Sequence, residues 1–119
     1  MSNQKLNLHF DQRPWGKEIW FPREGLDMVK ILTVDPGGMT SLQYHNHRDE
    51  YWRFLSGNGQ VVIGEDTISV KAGDEQFIAK KTKHRIIGGT EPLVFLELHY
   101  GKFDEADIVR LEDKYGRLK

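Results

Sequence analysis

Nine short runs rich in β-branched and aromatic residues follow one another along the chain. They are Lys17–Phe21, Met28–Val34, Leu42–His45, Tyr51–Leu55, Gln60–Ile63, Thr67–Val70, Glu75–Ile78, His84–Ile87 and Leu93–Tyr100. Turn formers punctuate them: PREG, DPGG, SGNG, GED, KAGD and IGGTEP. Strands this short and this regularly spaced predict an all-β sandwich or small barrel. Ser56-Gly57-Asn58-Gly59 joins two apolar runs and reads as a tight hairpin. Asp104–Lys114 fits either one or two amphipathic helical turns or, through Ile108 and Val109, an edge strand. The first dozen residues and the basic last few read as loose ends.

The 119 residues suit one domain, expected to occupy 13–119 behind an N-terminal extension over 1–12. There is no cysteine, so disulfides and thiolate metal sites are excluded and any metal must be held by nitrogen and oxygen. The net charge is −1, from 17 basic and 18 acidic residues mixed along the chain, without the basic footprint of a nucleic-acid binder. No apolar run reaches the length of a membrane span, and the N-terminus lacks a signal peptide's apolar core. The expectation is a soluble cytoplasmic domain.

Chemistry concentrates between Pro36 and Gly57. Gln43, His45 and His47 stand at i, i+2 and i+4, which in a regular strand puts all three on one face. Polar groups on one face of an apolar strand are costly to bury unless something coordinates or hydrogen-bonds them, and a divalent metal would. Glu50 completes the donor set but has the wrong parity for the His45 face. A turn or bulge across Asn46–Asp49 would re-aim it; otherwise His47 is the competing ligand. Trp15, Trp52, Phe54 and Phe95 are expected to pack the core or line a pocket rim.

The spacing from Gly37 through Gln43, His45 and Glu50 to Gly57 resembles the first motif of the cupin superfamily, G-x5-H-x-H-x4-E-x6-G, with Gln43 in the place of the first histidine. The second motif aligns from Gly73 to His84, with Ala79, Lys81 and Gly88 replacing its proline, glycine and asparagine. The ordered set Arg13-Pro14-Trp15-Gly16, Ser41-Leu42-Gln43, His45-x-His47-Arg48-x-Glu50-x-Trp52, His84-Arg85 and Asp107-Ile108-Val109-Arg110…Asp113-x-Tyr115-Gly116-Arg117 is similar to the type II mannose-6-phosphate isomerase cupin domain. In that family the domain is usually the C-terminal part of a bifunctional enzyme with mannose-1-phosphate guanylyltransferase.

The resemblance implies a cupin fold, a sandwich or conical barrel of two antiparallel sheets. It also implies a divalent metal held by Gln43, His45, Glu50 and His84, with zinc first and cobalt, manganese or magnesium as alternatives. The implied reaction interconverts mannose 6-phosphate and fructose 6-phosphate. Such a reaction needs a proton carrier, for which Glu97, His99, Lys80 and Lys102 are the candidates. It needs a phosphate clamp too, for which Arg85, Arg110 and Arg117 are the candidates, with Arg48 in a family motif. Arg85 follows His84 and points to the opposite strand face. Lys80, Lys81 and Lys83 form a basic run that would flank an anion. His99 stands where the family more often shows glutamine. The alternative reading is a non-catalytic sugar-phosphate-binding cupin acting with a separate nucleotidyltransferase. His45, His84 and Glu50 alone would also fit an iron-dependent oxygenase. A homodimer is expected, through pairing of exposed strand edges.

Overall fold

The computed structural model describes residues 8–21 and 27–117. Eleven strands follow in chain order: β1 (His9–Arg13), β2 (Gly16–Trp20), β3 (Met28–Val34), β4 (Leu42–Tyr44), β5 (Arg48–Ser56), β6 (Asn58–Ile63), β7 (Asp66–Lys71), β8 (Glu75–Ile78), β9 (His84–Gly88), β10 (Leu93–Gly101) and β11 (Val109–Glu112). They form a six-stranded sheet, β1-β2-β3-β10-β5-β8, and a five-stranded sheet, β11-β4-β9-β6-β7. Every pairing is antiparallel, and no α-helix occurs among the described residues. This is the expected two-sheet sandwich.

Alternation drives the layering. In β3 the buried positions are Met28, Lys30, Leu32 and Val34, with Val29, Ile31 and Thr33 between them on the other face. β10 alternates in the same way from Leu93 to His99. The inward apolar residues meet those of the second sheet. Trp52, Phe54 and Phe95 stack with ring centroids 5.4–6.5 Å apart, and Val61, Val34 and Leu93 are fully enclosed. Each such side chain removed from water contributes about 1.5–3 kcal/mol.

The inward positions change character along the strands. In β10 they run Leu93, Phe95, then Glu97 and His99; in β5, Phe54 and Trp52, then Glu50 and Arg48. Register pairs Phe95 with Phe54, His99 with Glu50 and Glu97 with Lys30, so the polar ends coincide. One end of the sandwich is therefore a dry core and the other a polar cavity.

Three expectations are corrected. Ser56–Gly59 is not a hairpin: β5 and β6 belong to different sheets, and the chain crosses between layers there. Gly57 permits the crossing with φ +83, and a Cβ on it would lie 1.8 Å from the Pro92 carbonyl oxygen. The loose N-terminus is ordered from His9, because β1 pairs with β2 residue for residue from His9–Trp20 to Arg13–Gly16. The 104–114 stretch resolves as a turn followed by the edge strand β11, which pairs with β4. Residues 1–7 and 118–119 of the expected loose ends lie outside the described residues.

Candidate functional site

The register of the five-stranded sheet builds one wall of the cavity. Arg110 of β11 stands opposite Gln43 of β4, and Gln43 stands opposite His84 of β9. All three line a cavity of about 430 Å3. β4 stops at Tyr44, and the chain bends at Asn46 and His47 before β5 resumes. Asp107 holds that bend. Its carboxylate accepts the Asn46 and His47 N–H groups at 2.9 and 3.0 Å, and its carbonyl lies 2.7 Å from His45 Nδ1. The bend changes the parity, so His45 and Glu50 both face inward while His47 is exposed. This is the irregularity anticipated across Asn46–Asp49, and it removes His47 from the donor set.

His45, Glu50 and His84 are buried, with one donor atom each lying within 4.8 Å of the others. His84 Nδ1 faces the Thr82 carbonyl at 2.9 Å, as His45 Nδ1 faces that of Asp107. Carbonyls can only accept, so the neutral tautomers carry the proton on Nδ1 and leave Nε2 as a lone-pair donor. Backbone carbonyls in this position orient histidines for metal binding. Burial lowers the His45 pKa to about 4, which keeps the ring neutral. Burial works against ionisation of Glu50, yet His84, His99, Arg48 and His45 around it hold its carboxyl well below the usual carboxylate range. Two imidazoles presenting Nε2 and an ionised carboxylate fit a divalent cation. Gln43, next to His84 on the same wall, would add its amide oxygen. Arg48 competes for the same lone pairs. It lies 3.1 Å from His45 Nε2 through Nη2, and 2.8 Å from Glu50 Oε2 through both Nε and Nη2.

On the six-stranded wall, Glu97 lines the cavity and His99 sits behind it with Nε2 2.5 Å from Glu97 Oε1. His99 Nδ1 is buried without a hydrogen-bond partner among the described residues, so the proton belongs on Nε2, donated to the carboxylate. Glu18 and Lys30 form a buried pair at 3.4 Å beside Trp20, whose Nε1 donates to Glu18 at 2.6 Å. The cavity also receives Arg13, Arg110 and Arg117. Arg117 is tied to Asp113 at 2.7 Å. The Nε atoms of Arg13 and Arg110 are buried without a hydrogen bond among the described residues, although Arg13 Nε lies 3.4 Å from Glu18. Burial, then the charges of Arg117 and Arg13, depress the Arg110 pKa. Guanidiniums crowded in this way attract an anion.

Other predicted residues fall outside the cavity. Lys102 and Lys80 are exposed and line no part of it, so neither is placed to carry a proton. Lys81 is exposed, and Lys83 pairs with Glu65 at 2.8 Å, so the basic run flanks no anion site. Arg85 points away from His84, as strand alternation requires. It donates to the Thr40 carbonyl at 3.0 Å and pairs with Glu112 at 3.2 Å, which makes it a strand tie and not a substrate group. Sequence reasoning gave no role to Arg13, Glu18, Lys30 or Asp107. Lys30 was detectable, because it shares the parity of Met28, Leu32 and Val34 and so must face inward.

The model for the family described as "Mannose-6-phosphate isomerase C-terminal" matches residues 2–113. The chain belongs to this family. Among curated relatives, it is 39% identical over 107 residues to the alginate biosynthesis protein AlgA of Pseudomonas aeruginosa, covering 88% of this chain and 22% of that protein. It is 37% identical over 110 residues to a mannose-1-phosphate guanylyltransferase of Klebsiella pneumoniae, covering 88% of this chain and 23% of that protein. The chain thus spans less than a quarter of the length of these relatives. Among solved structures, a cupin protein from Bacteroides fragilis superposes with a TM-score of 0.59 at 28% identity, covering 62% of this chain and 64% of that one. The fold is a cupin.

Proposed function

We propose that this domain is a metal-dependent sugar-phosphate isomerase that interconverts mannose 6-phosphate and fructose 6-phosphate. One observation carries the reading: a single cavity holds the His45, Glu50 and His84 donors, the Glu97 carboxylate and the guanidiniums of Arg110 and Arg13, each with a buried Nε that makes no hydrogen bond among the described residues, although Arg13 Nη2 pairs with Asp11 at 2.8 Å. A sugar phosphate presents the matching groups, a carbonyl with its neighbouring hydroxyl at one end and a dianion at the other. A divalent cation bound by Gln43, His45, Glu50 and His84 would supply Lewis acidity toward the carbonyl. Zinc fits this nitrogen and oxygen set, as cobalt, manganese or magnesium would with different geometry.

The chain's own residues supply the rest. Arg110 and Arg13 hold the phosphate through their guanidinium N–H groups, and Arg117, whose Nε and Nη2 are engaged by Asp113, adds positive charge beside them. Glu97 takes the proton from C2 of the open-chain aldose and returns it to C1. The hydroxyl proton at O2 passes to O1, so the ketose forms with no net gain or loss of atoms. His99 is a positioning residue. By donating to Oε1 it fixes the carboxylate and leaves Oε2 for substrate.

The test is a coupled assay for fructose 6-phosphate formation, using chelator-treated protein with each metal restored in turn. Turnover is expected with one or more metals, and a loss of about 10²–10⁴ in kcat for Glu97→Gln. His99→Gln retains a donor and should keep most of the rate, whereas His99→Leu should lower kcat with KM little changed. If Glu97→Gln is fully active, the base is assigned wrongly. Metal and sugar-phosphate binding without turnover would favour the binding module, acting with a separate nucleotidyltransferase.

A further inference from the structure

Isomerisation moves two protons, and Glu97 accounts only for the one on carbon. The other passes between the two oxygens, and the six-stranded wall holds an ionisable side chain in place to carry it. Register puts Trp20 of β2, Lys30 of β3, Glu97 of β10 and Trp52 of β5 in one row across four strands. Lys30 and Glu97 are therefore neighbours, both buried and both lining the cavity. Directly opposed residues on one face of antiparallel strands have Cβ atoms about 4.5–5.5 Å apart, so one C1–C2 unit can touch both side chains. Lysine is almost never buried without a partner, and the partner here is incomplete. Among the described residues Lys30 Nζ makes one hydrogen bond, 3.4 Å long, to Glu18 Oε1. That oxygen already accepts Trp20 Nε1 at 2.6 Å. Lys30 Nζ also lies over the Trp20 ring, 4.3 Å from its centroid, with the Phe103 ring 5.4 Å away. Ring faces attract the charge without using up an N–H. An ammonium has three donors, so N–H groups remain for a molecule in the cavity.

We propose that Lys30 is a second catalytic residue, carrying the proton between O1 and O2; the assignment rests on the isomerase reading. As Glu97 takes the proton from C2, the C2–H electron pair becomes the C1–C2 double bond. The carbonyl pair at O1 accepts a proton from the Lys30 ammonium. The resulting enediol then lies between the neutral Lys30 amine and the protonated Glu97. In the second half the amine takes the O2 proton, and the O2–H pair forms the C2 carbonyl. The double-bond pair accepts, at C1, the proton that Glu97 holds. Both side chains end as they began, and the sugar has lost two protons and gained two. Glu18 is the positioning residue: tied by Trp20 Nε1, it holds the Lys30 amine at the wall beside Glu97.

The test uses metal-restored protein in the mannose 6-phosphate assay. Lys30→Met keeps an apolar stem against Trp20 and Phe103 and removes only the ammonium, so the fold should survive, as a urea titration will show. Its kcat should fall by about 10²–10⁴ with KM little changed. Lys30→Arg should not recover the rate, because a guanidinium does not release its proton. Lys30→Ala opens a space that propylammonium, matching the atoms removed, can fill. Added propylammonium should raise its rate in proportion to concentration and leave Glu97→Gln unmoved. A parent protein that turns over beside an equally active Lys30→Met would overturn the assignment and leave the isomerase reading standing. So would a folded Lys30→Ala whose lost rate propylammonium does not restore, since Lys30 would then be only a counter-ion to Glu18. A parent protein inactive with every metal would overturn both.

Discussion

The Asp113 carboxylate accepts from Arg117 at 2.7 Å through Nε and from the Arg117 and Tyr115 backbone N–H groups at 2.6 and 3.2 Å, and its side chain is fully buried. The Arg117 hydrogen bond is the main reason its pKa falls to about 2 from the ordinary 3.8. The stabilisation is therefore complete above about pH 4 and is lost as pH falls from there through about 2. A shift of this size corresponds to ~2 kcal/mol. Asp113→Asn should lower the unfolding free energy by about that amount at pH 7 and by much less at pH 2, measured by urea titration at both values. An equal loss at both pH values would mean that packing, and not the ion pair, is what Asp113 contributes. Arg117 would also lose its tether, so binding of inorganic phosphate should weaken in the same variant.

At the scale of elements, Gly57 makes the clearest demand. It takes the chain from one sheet to the other in a left-handed conformation, hard against the Pro92 carbonyl. Gly57→Ala incurs about 1–3 kcal/mol of backbone strain and a clash that only movement of the 89–92 turn can relieve. We expect a loss of at least ~3 kcal/mol in urea unfolding with the fold retained; a change below ~1 kcal/mol would contradict the crossing. The same segment shows where the sequence was legible and where it was not. Periodicity located most of the strands within a residue or two, because alternation of inward and outward residues is local. It could not tell that Ser56–Gly59 bridges two sheets, since a tight turn and a layer crossing use the same glycines. β6 pairs instead with β7, the next strand, and with β9, some twenty residues further on.

The site divides along the same line. His45, Glu50 and His84 were readable from spacing, and the parity of Glu50 even required the bend that Asp107 secures. Arg13 was visible only as part of a motif, because its neighbours in the cavity come from the opposite end of the chain. Arg85 and Lys102 misled because proximity in sequence to a ligand or a strand end says nothing about which face a side chain takes.

For the whole molecule, cation binding should be linked to folding, because the three donors are assembled only in the folded state. At a hundredfold excess over its dissociation constant, the cation would add about 2.7 kcal/mol. That raises the midpoint of thermal unfolding by roughly 10 °C for a domain of this size. His84→Ala should abolish the shift. Arg48→Ala should enlarge it at a given concentration, because the guanidinium no longer engages His45 Nε2 and Glu50. A shift that survives His84→Ala would place the cation elsewhere.

The Asp107 clamp reaches back 61 residues to Asn46, and the Tyr115 hydroxyl reaches back 76 to the Met39 amide. Contacts that close such long loops form late. As the polypeptide leaves the ribosome, the six-stranded sheet and all three donor residues are available once β10 has emerged, while the bend that aims them still lacks its clamp. Arg110 and Arg117 arrive later still. A nascent chain would thus acquire its hydrophobic interior first, its donor geometry second and its cluster of cavity guanidiniums last, so that completion of the cavity would report that synthesis had passed Arg117.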